Sequence, residues 1–356
     1  MKDKSSNFEL MRICSMFLIV LGHTLSWGGI VEHADSNTKF IIYLIYGFIV
    51  VHVNSFILLT GYFQSTGKFK IKKIINLICL MLFYRIIFYT ISVLLGWQPF
   101  YGVGTFIYNL LPIDNYSYWF LNIYIVLYML SPYLNKLINN IEKGEYIKLL
   151  GILFIFCSVL PRITLSSFFN NNAGYSLIQF IFMYLIGAFI RKYDKDIKLS
   201  FLKIKLSFND RPFNYFVIYF VLVVIKFLIN YCGNILLSYN GLTKIIGNNL
   251  AYSYTSLVYD SPIVIIISVA YFLMFKNLSI RNSKFINRIS KTTNEIYLFH
   301  MNIFFKSHLY LFFGLNLLSY RLDSISRAIY ISIIIMFCGF VIYYIRTFFI
   351  KIFRHE

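Results

Sequence analysis

An arginine and a histidine, Arg12 and His23, lie eleven residues apart in the first apolar stretch of the chain. Ionisable side chains are costly in such a stretch and often mark function. Eleven residues return an α-helix to within about 20° of its starting direction, so both side chains project from one face, about 16 Å apart along the axis. Arg12 is suited to holding phosphates, and His23 to removing a proton from a hydroxyl group. A long anionic donor such as a coenzyme A thioester would use both residues.

Each of these residues also has a structural explanation. Arg12 could snorkel to the membrane surface and pair with Glu9, one turn away. His23 could hydrogen-bond a neighbouring helix. Two further cations, Arg85 and Lys226, fall near the middle of apolar stretches, and the sequence shows no acidic residue at matching depth. They favour an anionic occupant, although hydrogen bonds to helix carbonyls would also explain them.

The elements that must position these residues follow from composition. Of the 356 residues, 59% are hydrophobic and 13% are charged, which leaves too little polar surface for a soluble globular enzyme. Apolar runs of bilayer length recur throughout the chain and predict an all-α, polytopic integral membrane protein. We expect a single transmembrane domain over residues 1–356, with no appended soluble domain. We also expect no bound metal.

Apolar windows of about 20 residues predict ten transmembrane helices. They cover residues 8–28, 40–63, 74–95, 117–134, 149–167, 176–190, 213–237, 256–275, 294–313 and 328–350.

The orientation follows from the basic residues. With a cytoplasmic N-terminus, 24 of the 33 Lys and Arg residues fall in cytoplasmic segments, five in outer segments and four within spans. This asymmetry is typical of positive-inside topology and predicts a multi-pass protein of the cell membrane with both termini in the cytoplasm. The net charge of +19 therefore indicates topology, and we expect no nucleic-acid partner.

The segment from Phe8 to His23 resembles the hallmark of the membrane-bound acyltransferase 3 family. Other segments resemble the family in the same order along the chain. They are Val53–Phe63, which closes in Thr60-Gly61-Tyr62; Trp119–Asn135, which is similar to the fourth-span signature of the polysaccharide-modifying branch; Tyr184–Ala188; and Ile296–Asn302.

The resemblance implies ten helices and transfer of an acyl group, commonly acetyl, from cytoplasmic acyl-CoA to a sugar hydroxyl. Arg12 is then the donor-side arginine and His23 the catalytic histidine. We assign donor binding to Arg12, Lys70, Lys72, Lys73 and Arg85. We assign acceptor binding or site lining to Trp119, Tyr124, Asn54, Thr60, His300 and Asn302. Acetyl-CoA or another acyl-CoA is expected as a substrate, and no resident cofactor is expected.

The chain departs from its relatives at two places. Relatives often carry an Arg pair at the start of the third span, where this chain has Lys70, Lys72 and Lys73, which favours point-charge contacts over bidentate ones. Relatives often have an Asp after the ninth-span histidine, where this chain has Met301. His300 therefore lacks an expected orienting carboxylate.

The sequence thus predicts a membrane O-acyltransferase acting on exopolysaccharide, capsule or another envelope glycan, or on its lipid-linked precursor. Direct attack assisted by His23 and a covalent acyl-His23 relay both remain open. In a relay, any second acceptor enzyme would be a separate glycan-assembly protein. An exporter or flippase of a lipid-linked glycan is the main alternative, because it would explain the interior cations without an acyl donor.

Overall fold

A computed structural model of the chain describes residues 5–100, 102–110, 118–164, 171–194, 211–238, 258–313 and 322–352. Within these ranges every regular element is a helix and no strand occurs, which confirms the predicted all-α fold.

The described residues form sixteen α-helices. In chain order they are α1 (Ser6–Trp27), α2 (Ile30–His33), α3 (Ser36–Ile49), α4 (His52–Gln64), α5 (Ile71–Leu94), α6 (Val103–Leu110), α7 (Trp119–Asn140), α8 (Lys143–Phe154), α9 (Leu160–Ile163), α10 (Leu177–Lys192), α11 (Pro212–Ser238), α12 (Pro262–Asn277), α13 (Lys284–Ile289), α14 (Thr293–His300), α15 (Lys306–Phe312) and α16 (Leu322–Ile352).

Among the described residues, six segments are long and apolar enough to cross a membrane, which supports an integral membrane protein. They are Ser6–Trp27, Ser36–Gln64, Ile71–Leu94, Lys143–Ile163, Pro212–Gly233 and Leu322–Ile352.

The predicted count of ten is not confirmed, because the other four predicted spans are shorter, more polar or interrupted. Helices α10 and α12 have 16 residues each, about 24 Å, which is less than a bilayer core. Helix α7 has 22 residues but ends in a polar segment after Pro132. The predicted span 294–313 is two short helices, α14 and α15, separated by Met301–Phe305. Residues 117, 165–167 and 256–257 of the predicted spans lie outside the described residues.

The chain folds as two compact units. The first contains Met1–Ile42, Lys70–Asn122 and Asn282–Glu356, and the second contains Tyr43–Phe69 and Ile123–Arg281. The prediction of a single domain stays a prediction.

The core of the first unit is built from α1, α14 and α16. Helices α1 and α14 run in the same direction, since Glu9 contacts Ser290 and His23 contacts His300. Helix α16 runs opposite to α1 and α14. Arg346, near its end, pairs with Glu295 at the start of α14 at 2.6 Å. Ser332, fourteen residues earlier, hydrogen-bonds Thr24 near the end of α1. Gly339 lies between these two residues and packs on Ile296. A Cβ on Gly339 would lie 2.5 Å from the Ile296 Cγ1, so only glycine permits this approach.

The second unit is organised around α4 and α10. Gly61 packs against the Tyr184 backbone and Gly187 against the Leu58 backbone, in each case too closely for a Cβ. Asn135 of α7 joins the pair, donating to the Gln64 carbonyl at 2.8 Å and accepting from the Tyr184 hydroxyl at 2.6 Å. Small residues and interhelical hydrogen bonds of this kind hold helices together where lipid removes the hydrophobic driving force.

Candidate active site

Helix α1 places Arg12 and His23 on one face, as the eleven-residue spacing predicts. The helix is continuous from Ser6 to Trp27, so the two side chains are about 16 Å apart along its axis. Each contacts the segment 290–300 of the first unit, Arg12 through Glu9 and His23 directly. The face of α1 that carries Arg12 and His23 therefore packs along the segment 290–300.

The imidazole of His23 lies against the imidazole of His300. His23 Nδ1 is 3.2 Å from His300 Nε2, and the ring centroids are 5.4 Å apart. His300 is fully buried at the C-terminal end of α14. The sequence placed His300 among the site-lining residues but did not predict this pair.

The hydrogen bonds determine which nitrogen of each ring carries the proton. His300 Nδ1 lies 2.6 Å from the Ile296 carbonyl, and a carbonyl oxygen only accepts, so this Nδ1 carries a hydrogen. Neutral His300 then accepts at Nε2, which requires His23 to donate from Nδ1. His23 Nε2 is left as the nitrogen with the lone pair. A neutral imidazole in this tautomer has the form of a general base or nucleophile.

The Ile296 carbonyl supplies what the missing aspartate would have supplied. Where relatives often have a carboxylate, this chain has a buried Met301. The backbone oxygen one helical turn before His300 orients its ring instead. In hydrolase triads, an acidic side chain orients the histidine that acts as the base. Here His300 and the peptide carbonyl of Ile296 take the place of that acid.

Trp27, the last residue of α1, is also a neighbour of His23. Its indole stacks on the imidazole with centroids 4.1 Å apart and an interplanar angle of 13°. Residues four apart share a helix face, so the signal was present in the i, i+4 spacing. Lys306, at the start of α15, places its ammonium 4.7 Å from the centroid of the same indole.

The Arg12 end of the face is tied to Glu9. Arg12 Nη1 lies 3.7 Å from Glu9 Oε2, and the Ser290 hydroxyl donates to the same oxygen. Ser6, one turn before, accepts from the Ser283 amide at 2.8 Å. The Arg12 side chain nevertheless keeps 39% of its surface exposed, which leaves its guanidinium accessible to a phosphate.

The other proposed donor residues divide into two groups on α5. Lys70, Lys72 and Lys73 are exposed at the start of the helix. Arg85 is buried, about 20 Å further along the helix, with its guanidinium carbon 5.9 Å from the centroid of the Phe304 ring. Arg85 thus lies beside the interruption between α14 and α15.

Asn302 holds that interruption in place. Its amide nitrogen donates to the Tyr118 hydroxyl at 2.8 Å, and its side-chain oxygen accepts from the Phe304 amide at 3.0 Å. Tyr118 in turn donates to the Leu298 carbonyl at 2.8 Å. Asn302 follows His300 by two residues, so by fixing the backbone here it also shapes the surroundings of the His300 side chain. Tyr118, which precedes the proposed Trp119, carried no signal in the sequence.

The structure gives the remaining proposed residues local partners. Trp119 packs edge-on against Phe120. Tyr124 stacks on Tyr128, with centroids 6.3 Å apart.

Within the second unit, Asn54 donates to the Tyr259 carbonyl at 2.9 Å, and the Thr60 hydroxyl donates to Phe56 of its own helix at 2.8 Å. These contacts give Asn54 and Thr60 packing roles, and their assignment to the site stays a prediction.

In the second unit, one basic residue within a predicted span has a buried acidic partner. Arg162 forms an ion pair with buried Asp260, which by sequence falls near the end of a span. Lys226 is buried in the same unit.

The comparison with family models decides the class of the protein. A model described as an acyltransferase domain, that of acyltransferase 3, matches residues 5–348. The chain belongs to the acyltransferase 3 family. No curated protein and no solved structure gives a significant match. As a member of the acyltransferase 3 family with membrane-spanning helices, the protein is a membrane acyltransferase. The match includes Arg12, His23 and His300.

Proposed function

We propose that the protein transfers an acyl group, in the simplest case acetyl, from cytoplasmic acyl-CoA to a hydroxyl of an envelope or extracellular polysaccharide or of its lipid-linked precursor. The pair of His23 and His300 carries this proposal, because its tautomer leaves the lone pair on His23 Nε2. Acyl transfer to a hydroxyl requires a base of this kind.

The chemistry balances with His23 alone as the proton carrier. His23 Nε2 takes the proton of the acceptor hydroxyl while the hydroxyl oxygen attacks the thioester carbonyl. The carbon–sulfur bond then breaks, and the coenzyme A thiolate takes the proton back, leaving an ester and free thiol. During the reaction the imidazolium is stabilised by a charge-assisted hydrogen bond from Nδ1 to His300 Nε2. Stacking on Trp27 adds a cation–π contact.

The donor is proposed to enter at the Arg12 end of α1. The predicted positive-inside topology would put that end at the cytoplasmic surface. Arg12 would hold the phosphates of coenzyme A, with Lys70, Lys72 and Lys73 as additional point charges. The reactive thioester would then reach His23, about 16 Å deeper.

The test uses a strain lacking the gene, complemented with the wild-type protein or with His23→Ala. Base-labile O-acyl esters on the envelope glycan are measured by mass spectrometry. We expect wild type to restore the esters and His23→Ala to lower them by about a hundredfold or more, with polymer still reaching the surface. With the purified protein in nanodiscs, Arg12→Gln should raise KM for acyl-CoA about tenfold with a smaller effect on kcat.

His33→Ala is the matched control, because His33 is an exposed histidine of the same unit, with Nδ1 2.9 Å from the Gly29 carbonyl. It should behave as wild type. If His23→Ala keeps the esters, the proposed catalytic role is wrong. If it abolishes surface polymer altogether, export of a lipid-linked glycan becomes the better explanation.

A further inference from the structure

Lys306 is a cation held next to the candidate catalytic pair. Its ammonium lies 4.7 Å from the centroid of the Trp27 indole, and His23 stacks on this same ring at 4.1 Å. Tyr310, one turn after Lys306, meets the indole edge-on at 6.1 Å. The backbone of Lys306 is also fixed, since its amide donates to the Asn302 carbonyl at 2.8 Å. The position of this cation relative to His23 is therefore determined by both α1 and the segment 302–310.

This cation lies on the opposite side of His23 from Arg12. Trp27 follows Arg12 by fifteen residues of continuous helix, about 22 Å, and follows His23 by about 6 Å. A donor whose phosphates are held by Arg12 and whose thioester is at His23 would not extend to Lys306. The ammonium is therefore on the side of His23 that such a donor would leave free for the second substrate.

The charge of Lys306 is not neutralised by a carboxylate within the described residues. The ion pairs described in the first unit join Glu9 to Arg12, Glu295 to Arg346 and Asp323 to Arg327. Lys306 is half-buried, and its described side-chain contact is with the indole of Trp27. A cation–π contact offsets only part of the cost of removing an ammonium from water. A negative group on a bound substrate would supply the remainder.

We propose that Lys306, held on Trp27, selects an acceptor that carries a negative charge close to the hydroxyl to be acylated. The charge would be the carboxylate of an acidic sugar or a phosphate. Either would form a charge-assisted hydrogen bond with the ammonium while the hydroxyl is at His23. This inference rests on the proposed function, because it identifies the class of acceptor for the same site.

The first arm of the test identifies the glycan unit that carries the ester in the wild-type strain. Tandem mass spectrometry locates the ester that is lost on gene deletion and determines whether that unit or its neighbour contains a uronic acid or a phosphate. We expect one of these, and the fragment masses distinguish the two. An ester on a neutral unit with neutral neighbours would overturn the inference while leaving acyl transfer intact. Absence of any deletion-dependent ester would instead refute the proposed function.

The second arm compares variants of Lys306 at equal membrane abundance. Lys306→Gln should lower the ester content about tenfold or more, and Lys306→Arg should keep most of it. Lys39→Gln is the matched control, since Lys39 is another basic residue of the outer segments by the predicted topology. Wild-type ester content in Lys306→Gln would overturn the inference. If that variant does not accumulate, the location of the wild-type ester still decides the result.

Discussion

A single hydrogen bond decides which nitrogen of His23 can act as a base. The alternative tautomer of His300 would direct a lone pair at the Ile296 carbonyl and leave two buried acceptors facing each other. A buried acceptor without a donor costs about 1–3 kcal/mol, which favours the observed tautomer by roughly 5- to 150-fold. His300 thus acts through His23, as a positioning residue. Because His300 is 0% exposed, bulk solvent does not compete for its ring nitrogens.

This role predicts different outcomes for two substitutions of His300. His300→Leu removes the acceptor for His23 Nδ1 and should lower kcat by about 10- to 100-fold, with KM for acyl-CoA little changed because Arg12 is untouched. His300→Gln keeps an amide oxygen of similar reach and should recover part of kcat. Steady-state release of coenzyme A by the purified protein in nanodiscs gives kcat for each variant. An equal loss of kcat in both variants would contradict the positioning role.

At the scale of elements, the interruption between α14 and α15 brings His300 to His23. Helix α14 has only eight residues and would not be stable alone. It is held by α1 on one side and by α16 on the other, and its C-terminal turn is bonded to Tyr118. Non-helical backbone at membrane depth is tolerated where side chains satisfy it, and Asn302 does so here. A continuous helix through 301–305 would remove these contacts.

Gly339 is where this packing is most sensitive. Adding a Cβ would place it 2.5 Å from Ile296 Cγ1 and 2.8 Å from Ile296 Cα, so Gly339→Ala must displace α14 together with the carbonyl that orients His300. Overpacking of this kind costs about 1–3 kcal/mol, and a displacement of about 1 Å at a catalytic group can cost 100-fold in rate. We expect kcat to fall by at least about tenfold, measured as coenzyme A release.

Two further variants show whether the fall in kcat comes from the close packing of Gly339 or from replacing any glycine. Gly104→Ala is the control, because a Cβ there meets open space in the same unit. It should leave activity unchanged. Shortening Ile296 in the Gly339→Ala background, by Ile296→Ala, should restore part of the rate. Full activity in Gly339→Ala would show that α14 does not need this close approach.

At the scale of the whole molecule, the segments that resemble the family have two different structural roles. In the first unit, the Phe8–His23 and Ile296–Asn302 segments supply the histidine pair. In the second unit, the segments around Gly61, Tyr184 and Asn135 pack on one another. These residues of the family segments in the second unit therefore contribute to helix packing.

The second unit provides a stability prediction that does not involve the histidines. Gly187→Ala would press a Cβ into the Leu58 carbonyl, and neither backbone can yield without separating α4 from α10. We expect a lower thermal unfolding temperature, corresponding to about 1–3 kcal/mol or more. Gly151→Ala, on an open surface of α8, should match wild type or be slightly more stable. Unfolding is followed by thiol labelling of buried Cys157, and equal curves for Gly187→Ala and wild type would contradict the packing argument.

The sequence alone determined the class of the protein and one face of one helix. Composition and apolar run length are sufficient for an all-α membrane chain, and local periodicity is sufficient to align Arg12 with His23. It overestimated the regularity of the ninth span, because an apolar window does not show that Asn302 would turn its amide to Tyr118 and Phe304. The contact of Trp27 with His23 was not predicted, although their four-residue spacing is consistent with it.

Only the tertiary structure decided that His23 is paired with His300 and that Lys306 lies on Trp27. The two histidines are 277 positions apart, and no local pattern states which helices become neighbours or how closely they approach. That information lies in glycines such as Gly339 and in single hydrogen bonds to backbone carbonyls, whose effect exists only once α1, α14 and α16 are packed together.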